Sequence, residues 1–277
     1  MKVLEHTAGP ALVDAHRAYF LTTEASNNLL LGVLLRTPEV APEALLWSLE
    51  VNGALVGVAL HTPPFHLLLS PMPDDALDAL VAALVARGRS LAGVNGDEAT
   101  VTAFSARWAL ARGGHSAVLM RQGVFELTRL EAPEGVAGAM RLAAPDDRAR
   151  VEAWMRAFCV DCGLPEDEHA VLVAGVARSI AEARVCLWCV DGAPVSMAVR
   201  GGDTLTGARI GGVYTPPSQR GRGYASACTA AASRRCLDSG RRAVYLYTDL
   251  GNPTSNKIYQ ALGYRLVGVA MMMRLTA

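Results

Sequence analysis

Lysine is nearly missing from this chain: Lys2 and Lys257 are the only two in 277 residues, and arginine carries almost all the positive charge. A nucleotide-binding loop of the Gly-Lys-Ser/Thr kind has no lysine to build on. Net charge is missing too, because 26 basic residues balance 26 acidic ones. That argues against a broad nucleic-acid or anionic-membrane surface, and neither partner is expected. Long apolar runs are absent: the longest near the N-terminus, Leu29 to Leu35, falls well short of the ~18 residues that suggest a membrane span. With no signal-peptide pattern, a cytoplasmic protein is expected. What is plentiful is apolar residue, 51% of the chain, enough to fill one large or two ordinary domains.

Six cysteines include two Cys-x-x-Cys pairs, Cys159 with Cys162 and Cys186 with Cys189. This spacing can signal zinc. The first pair lies in or at the end of an amphipathic helix pattern, and the second lies in Val185 to Val190, which reads as a strand. Residues three apart on a strand point to opposite faces, so the second pair is poorly placed to chelate one ion. Free thiols are expected and no metal, with a zinc-stabilised interaction protein as the rival reading. Cys228 and Cys236 read as core thiols on a helix.

The most informative stretch runs from Pro217 to Ala225, Pro-Ser-Gln-Arg-Gly-Arg-Gly-Tyr-Ala. It follows a predicted strand, Ala208 to Tyr214, and leads into a small-residue helix pattern from Ala225 to Leu237. The first amides of a helix lack intrahelical partners and sit at the positive end of its dipole, so such a turn suits an anion. Glycines let backbone approach a ligand closely, and Arg220 and Arg222 add permanent charge. A dinucleotide fingerprint needs three spaced glycines, and its first is missing here, although Asp238 lies near the distance of its acidic residue. What remains is Arg-x-x-Gly-x-Ala at Arg220, Gly223 and Ala225.

A second motif lies downstream. Tyr245 to Asp249 reads as a strand, and Asn252 to Tyr264 as a helix with a Gly-aromatic exit. Asn252 is a good N-cap, Pro253 suits the first helical position and Gly263 suits the C-terminal cap. Asn252, Asn256 and Tyr259 fall within an arc of roughly 60° on that helix, whereas Ile258 and Leu262 face elsewhere, toward a core. The two motifs together resemble the GCN5-related N-acetyltransferase (GNAT) family, over roughly residues 139 to 277.

The first half echoes the second. Asn52-Gly53-Ala54-Leu55-Val56-Gly57 matches Asp191-Gly192-Ala193-Pro194-Val195-Ser196 without a gap, half a chain apart, and both read as hairpins with a two-residue turn. Strand, helix, strand, helix and long strand follow in the first half: Phe65 to Leu69, Asp74 to Arg87, Leu91 to Val94, Asp97 to Arg112 and Ser116 to Leu130. In place of the phosphate loop stand Asp74 and Asp75, caps that would repel a pyrophosphate. Residues 1–132 are therefore expected to form a degenerate copy that does not bind CoA in that manner. The stretch Glu131 to Gly138 reads as a linker, and residues 139–277 as the active domain. That domain is expected to open with a strand at Met140 to Ala143 and helices at Asp146 to Cys159 and Pro165 to Ala183.

The resemblance implies an α/β fold with a mixed α+β sheet, in a tandem acyl-CoA N-acyltransferase arrangement of two related domains. It implies acetyl-CoA as cosubstrate, with its pyrophosphate on Arg220, Gly221, Arg222, Gly223, Tyr224 and Ala225. Backbone groups near Val213 and Thr215 would hold the pantetheine arm, with the Val213 N–H polarising the acetyl carbonyl. Asn252 and Asn256 would bind or order the cofactor, and Tyr259 would protonate the departing thiolate. The base is open: no glutamate lies on the strand Ala208 to Tyr214, where some family members carry one, which leaves Glu168, His169, Asp161, Asp203 or a water chain. The function implied is acetyl transfer to a primary amine of a small molecule or peptide in a direct ternary complex; the alternative is a non-catalytic CoA-binding or regulatory module. A homodimer and the identity of the acceptor stay open.

Overall fold

The computed structural model describes residues 1–276, and the chain clusters into two compact units. The first contains residues 1–125, 247–253 and 266–277, and the second residues 126–246 and 254–265. This partition is not a single cut near residues 132 to 139. A C-terminal strand belongs with the first unit because it pairs inside that unit's sheet, with Ala270 opposite Asp97 and Arg274 opposite Gly93.

In chain order the first unit has β1 (Lys2–Glu5), α1 (Gly9–Ala15), α2 (Arg17–Thr22), α3 (Asn28–Leu34), β2 (Leu45–Val51), β3 (Ala54–His61), β4 (Leu67–Leu69), α4 (Asp74–Ala86), β5 (Gly93–Asp97), α5 (Glu98–Arg112) and β6 (His115–Leu127). The second has β7 (Ala139–Leu142), α6 (Arg148–Asp161), α7 (Glu166–Ala174), α8 (Val176–Ala181), β8 (Val185–Val190), β9 (Ala193–Asp203), β10 (Ala208–Tyr214), α9 (Tyr224–Asp238), β11 (Val244–Asp249) and α10 (Pro253–Ala261), before β12 (Arg265–Thr276). Strand order is β1-β2-β3-β4-β5-β12-β6 in the first unit and β7-β8-β9-β10-β11 in the second. Both sets of strands are mixed: β4 runs parallel to β5, and β10 parallel to β11, whereas β3 with β4, β8 with β9 and β9 with β10 are antiparallel.

Both expected hairpins form. Asn52 and Gly53 have φ of 52° and 81°, and Asp191 and Gly192 have 48° and 78°, the pair of positive values that a type I′ turn requires. The first unit's core places Leu77, Leu80 and Leu84 of α4 beside Val101, Phe104 and Trp108 of α5, each set spaced to share one helical face. In the second unit Val151, Met155 and Cys159 of α6 pack with Val185, Leu187, Met197 and Val199. The intervening Cys186 accepts a contact from Cys228 Sγ of α9 through its carbonyl at 3.6 Å. Alternate residues of β8 thus serve opposite faces of the sheet.

Three local expectations differ. The helix expected over Pro165 to Ala183 divides at Gly175, where α7 ends and α8 begins; a helical glycine gives up more backbone freedom than other residues and weakens the middle of a helix. Asp74 and Asp75 are not the cap of α4: the N-cap is Pro73, and the two aspartates occupy the first turn, where Asp75 Oδ1 accepts the Ala76 N–H at 2.9 Å and Asp74 pairs with Arg107. Ile258 is only half-buried, whereas Tyr259, assigned to the polar stripe, is buried along with Leu262.

Candidate active site

The second unit's parallel pair separates early. Strand β10 pairs with β11 only at Ala208–Val244 and Arg209–Tyr245, so the edge of β10 from Ile210 onward is free of that partner. On its other edge the register with β9 slips, with Gly211 opposite Val199 and Tyr214 opposite Met197. Two residues, Gly212 and Val213, thus face one, and Gly212 has φ of 56°. This is a bulge with glycine in the left-handed region, which bends the strand and takes one residue out of the ladder. Val213 therefore sits at the bulge, beside the unpaired edge.

The glycine loop follows directly. Pro217–Gln219 makes one 3-10 turn, and Gly221 and Gly223 take φ of 78° and 79°. A Cβ added at Gly221 would meet nothing within 4 Å, so this turn lies open to a ligand. Gly223 is the N-cap of α9, and its carbonyl accepts the Ala227 N–H at 3.0 Å. The amides of Tyr224, Ala225 and Ser226 precede the first intrahelical bond and point out of the helix. Tyr224 turns its ring into the protein and contributes only backbone to the cradle.

The two arginines have different surroundings. Arg220 donates from Nε to the Thr215 carbonyl at 2.9 Å, pairs with Asp161 at 2.7 Å, and lies 5.8 Å from the ring centre of Tyr214. It pins the loop to β10 and to the end of α6. Arg222 is exposed, with no ion pair among the described residues. Thr215 is likewise engaged, since its hydroxyl bonds Ser196 Oγ at 2.9 Å while its carbonyl receives Arg220.

Helix α10 ends in a Schellman motif. The Tyr264 N–H reaches the Tyr259 carbonyl and the Gly263 N–H the Gln260 carbonyl, both at 3.0 Å, with Gly263 at φ of 94°. Tyr259 is 8% exposed and lies edge-on to Tyr264, their centroids 6.0 Å apart; the Tyr264 hydroxyl bonds Ser233 at 2.8 Å. Burial pushes the Tyr259 phenol well above its usual pKa, and Cys162 at the end of α6 adds to the shift. Asn256 lies half-buried one turn earlier, whereas Asn252 is exposed and falls in the segment 247–253 that clusters with the first unit.

Four candidate bases separate by environment. Asp203 is held by Arg200 and, at 2.6 Å, by Arg241, and it sits opposite Ala208, roughly 20 Å of strand from Tyr214. Asp161 is committed to Arg220. Nε2 of His169 is buried without a hydrogen-bond partner. Glu168 is 5% exposed, pairs with no arginine or lysine among the described residues, and is raised above the ordinary carboxylate range by burial, then by Asp167, with His169 opposing. Burial raises Cys159 and Glu168 adds to the shift; Cys159 lies one helical turn before Cys162, the neighbour of Tyr259. A face of α6 therefore joins the surroundings of Glu168 to those of Tyr259.

Among the described residues no group of three or more His, Cys, Asp or Glu is arranged to hold a metal ion, and all six cysteines are free. No helix is long and apolar enough to cross a membrane.

The sequence profile described as "Acetyltransferase (GNAT) family" matches residues 137–264. The C-terminal half belongs to the GNAT acetyltransferase family. The whole chain has the fold of tandem GNAT proteins. A GNAT-family acetyltransferase from Colwellia psychrerythraea superposes with a TM-score of 0.62 at 15% identity, covering 100% of both chains. A GCN5-related N-acetyltransferase from Sphaerobacter thermophilus gives 0.64 at 20% identity, covering 98% of this chain and 95% of its own. A tandem GNAT protein from the clavulanic acid biosynthesis pathway gives 0.57 at 13% identity over 99% and 98%. No curated protein sequence matches. The GNAT family uses acyl-CoA, and the open glycine turn with its outward amides fits the pyrophosphate of that group.

Proposed function

We propose that the C-terminal half is an N-acetyltransferase that passes acetyl from acetyl-CoA to a primary amine of a small molecule or peptide within one ternary complex. The observation that carries this reading is the early separation of β10 from β11, followed at once by the Gly212 bulge and the open glycine turn. An unpaired strand edge accepts an extended amide chain by the rules that pair strands, and the turn beyond it accepts two phosphates.

Acetyl-CoA, when bound, supplies a thioester carbonyl that an amine attacks. The Val213 N–H at the bulge donates to the carbonyl oxygen, where negative charge grows. Gly221, Gly223, Tyr224 and Ala225 offer backbone to the pyrophosphate, Arg222 supplies charge, and Arg220 holds the turn in shape. Asn256 orders the arm of the cofactor. An alkylammonium has a pKa near ~10 and must lose a proton before attack; Glu168 takes it, its carboxylate being buried, paired with no arginine or lysine among the described residues, and raised in pKa. Tyr259, protonated because it is buried, gives its phenolic proton to the leaving sulfur and regains a proton from the second one that the nitrogen sheds on becoming an amide.

Calorimetric titration of the full chain with acetyl-CoA tests the reading, beside an Arg220→Ala, Arg222→Ala double variant. Micromolar binding that weakens markedly in the variant, together with acetylated product in a mass-spectrometric screen of primary amines, is expected. Absence of binding by folded protein overturns it. Binding without turnover across the panel would favour a CoA-binding regulatory module.

A further inference from the structure

The first unit holds a pocket of its own, at the carboxyl ends of its parallel strands β4 and β5. Its volume is about 40 Å³, several times the ~10–15 Å³ that a single water needs. Leu29, Leu68, Val124 and Val269 line its apolar side. No lysine, arginine or histidine lines it.

Two polar residues of β5 interrupt that wall. Asn95, opposite Leu68, lines the pocket, and its Oδ1 is buried with no hydrogen-bond partner. A buried carbonyl oxygen without a donor is destabilising, so the group this site lacks is an N–H or O–H. Asp97 also lines the pocket. Its Oδ1 caps α5 by accepting the Ala99 and Thr100 amides at 3.1 and 3.2 Å. The full negative charge of Asp97 exceeds the roughly half charge of the helix end it caps, which leaves the pocket net negative.

An apolar wall, an unfilled buried acceptor and an adjacent carboxylate with no lining cation select one chemistry. We propose that this pocket is a binding site for a short aliphatic primary ammonium ion, whose N–H groups reach Asn95 Oδ1 and the Asp97 carboxylate while its alkyl body rests on Leu29, Leu68 and Val269. The same charge excludes carboxylates and phosphates. The site stands independently of the acetyl-transfer reading, because its occupancy requires no acetyl-CoA.

The test is an amide chemical-shift titration of the 15N-labelled full chain with isobutylammonium chloride, isobutanol and sodium isobutyrate at matched ionic strength. Isobutylammonium is expected to saturate at millimolar concentration with shifts confined to α3, β5 and residues 267–270, to bind about fivefold tighter than isobutanol, and to outcompete isobutyrate, which leaves these residues unmoved. Asp97→Asn keeps a good helix cap and should lower the ammonium to the affinity of the alcohol. Gly268→Ile should abolish binding of both, because a Cβ added at Gly268 meets nothing closer than Val124 Cβ at 4.0 Å and the larger side chain fills the pocket; its melting temperature should be unchanged or higher. Unlocalised shifts, isobutanol binding as tightly as isobutylammonium, isobutyrate binding at the same residues, or folded Gly268→Ile still binding would each overturn the proposal. Should Gly268→Ile fail to fold, the charge dependence read from Asp97→Asn decides alone.

Discussion

Tyr259 and Glu168 are both buried, and burial acts on them in the same direction, favouring the protonated form. For the proposed proton donor, burial keeps the phenol protonated at every working pH while making it a weaker acid. Tyr259→Phe should lower kcat by roughly 10²- to 10⁴-fold with little change in the acetyl-CoA KM, read from steady-state acetylation. For a base, burial sets a threshold. The acid limb of kcat/KM should lie above the ordinary carboxylate range and vanish, with most of the activity, in Glu168→Gln. Stability should respond with the opposite sign. Because the folded-state pKa of Glu168 is raised, its favourable contribution is complete below the unfolded value of 4.5 and is lost as pH rises through the folded value. Glu168→Gln should therefore melt higher than wild type at pH 8 and about equally at pH 4, as thermal melts at the two pH values will show.

At the scale of elements, the bulge in β10 and the turn after it form one continuous device. Gly212→Val would place a β-branched residue at positive φ, with its Cβ 3.1 Å from Val199 Cγ2; a destabilisation of ~1–3 kcal/mol is expected. Acetyl-CoA affinity should fall as the bulge is lost, measured by denaturant titration and calorimetry. Arg220→Ala should reduce affinity more than Arg222→Ala, and Asp161→Asn should reproduce part of its effect, because Arg220 shapes the loop through Thr215 and Asp161.

Much of this device was legible beforehand: β10 has the bounds expected, α9 differs by one residue at each end, and Gly263 closes α10 as its position suggested. Local rules govern those features, since turns, caps and alternation depend on a few neighbours. The orientation of α10 was not legible. A helical wheel shows which residues share a face but not which face meets the core, and Tyr259 proved the buried one. Glu168 could not be ranked over Asp161 or Asp203 for a related reason, as its burial and their arginine partners arise only on folding.

At the scale of the whole molecule, the least legible fact is the placement of β12. Met271, Met273 and Leu275 enter the first unit's core beside Phe104 and Trp108. At ~1.5–3 kcal/mol for each buried side chain they contribute about 5–9 kcal/mol, comparable to the full stability of an ordinary domain. A fragment ending at residue 132 is therefore expected to be unfolded or insoluble, and supplying a peptide of residues 264–277 in trans should restore cooperative melting. A fragment that folds alone with native-like circular dichroism would contradict this.

The same strand sets a clock during biosynthesis. At ~5–20 residues per second, roughly 7–30 s separate translation of residue 125 from that of residue 266. Throughout that interval β5 lacks its antiparallel neighbour and presents an open hydrogen-bonding edge, the kind of surface on which nascent chains aggregate. The half made first is the half finished last, and its yield in cells depends on whatever shields that edge until β12 has been translated.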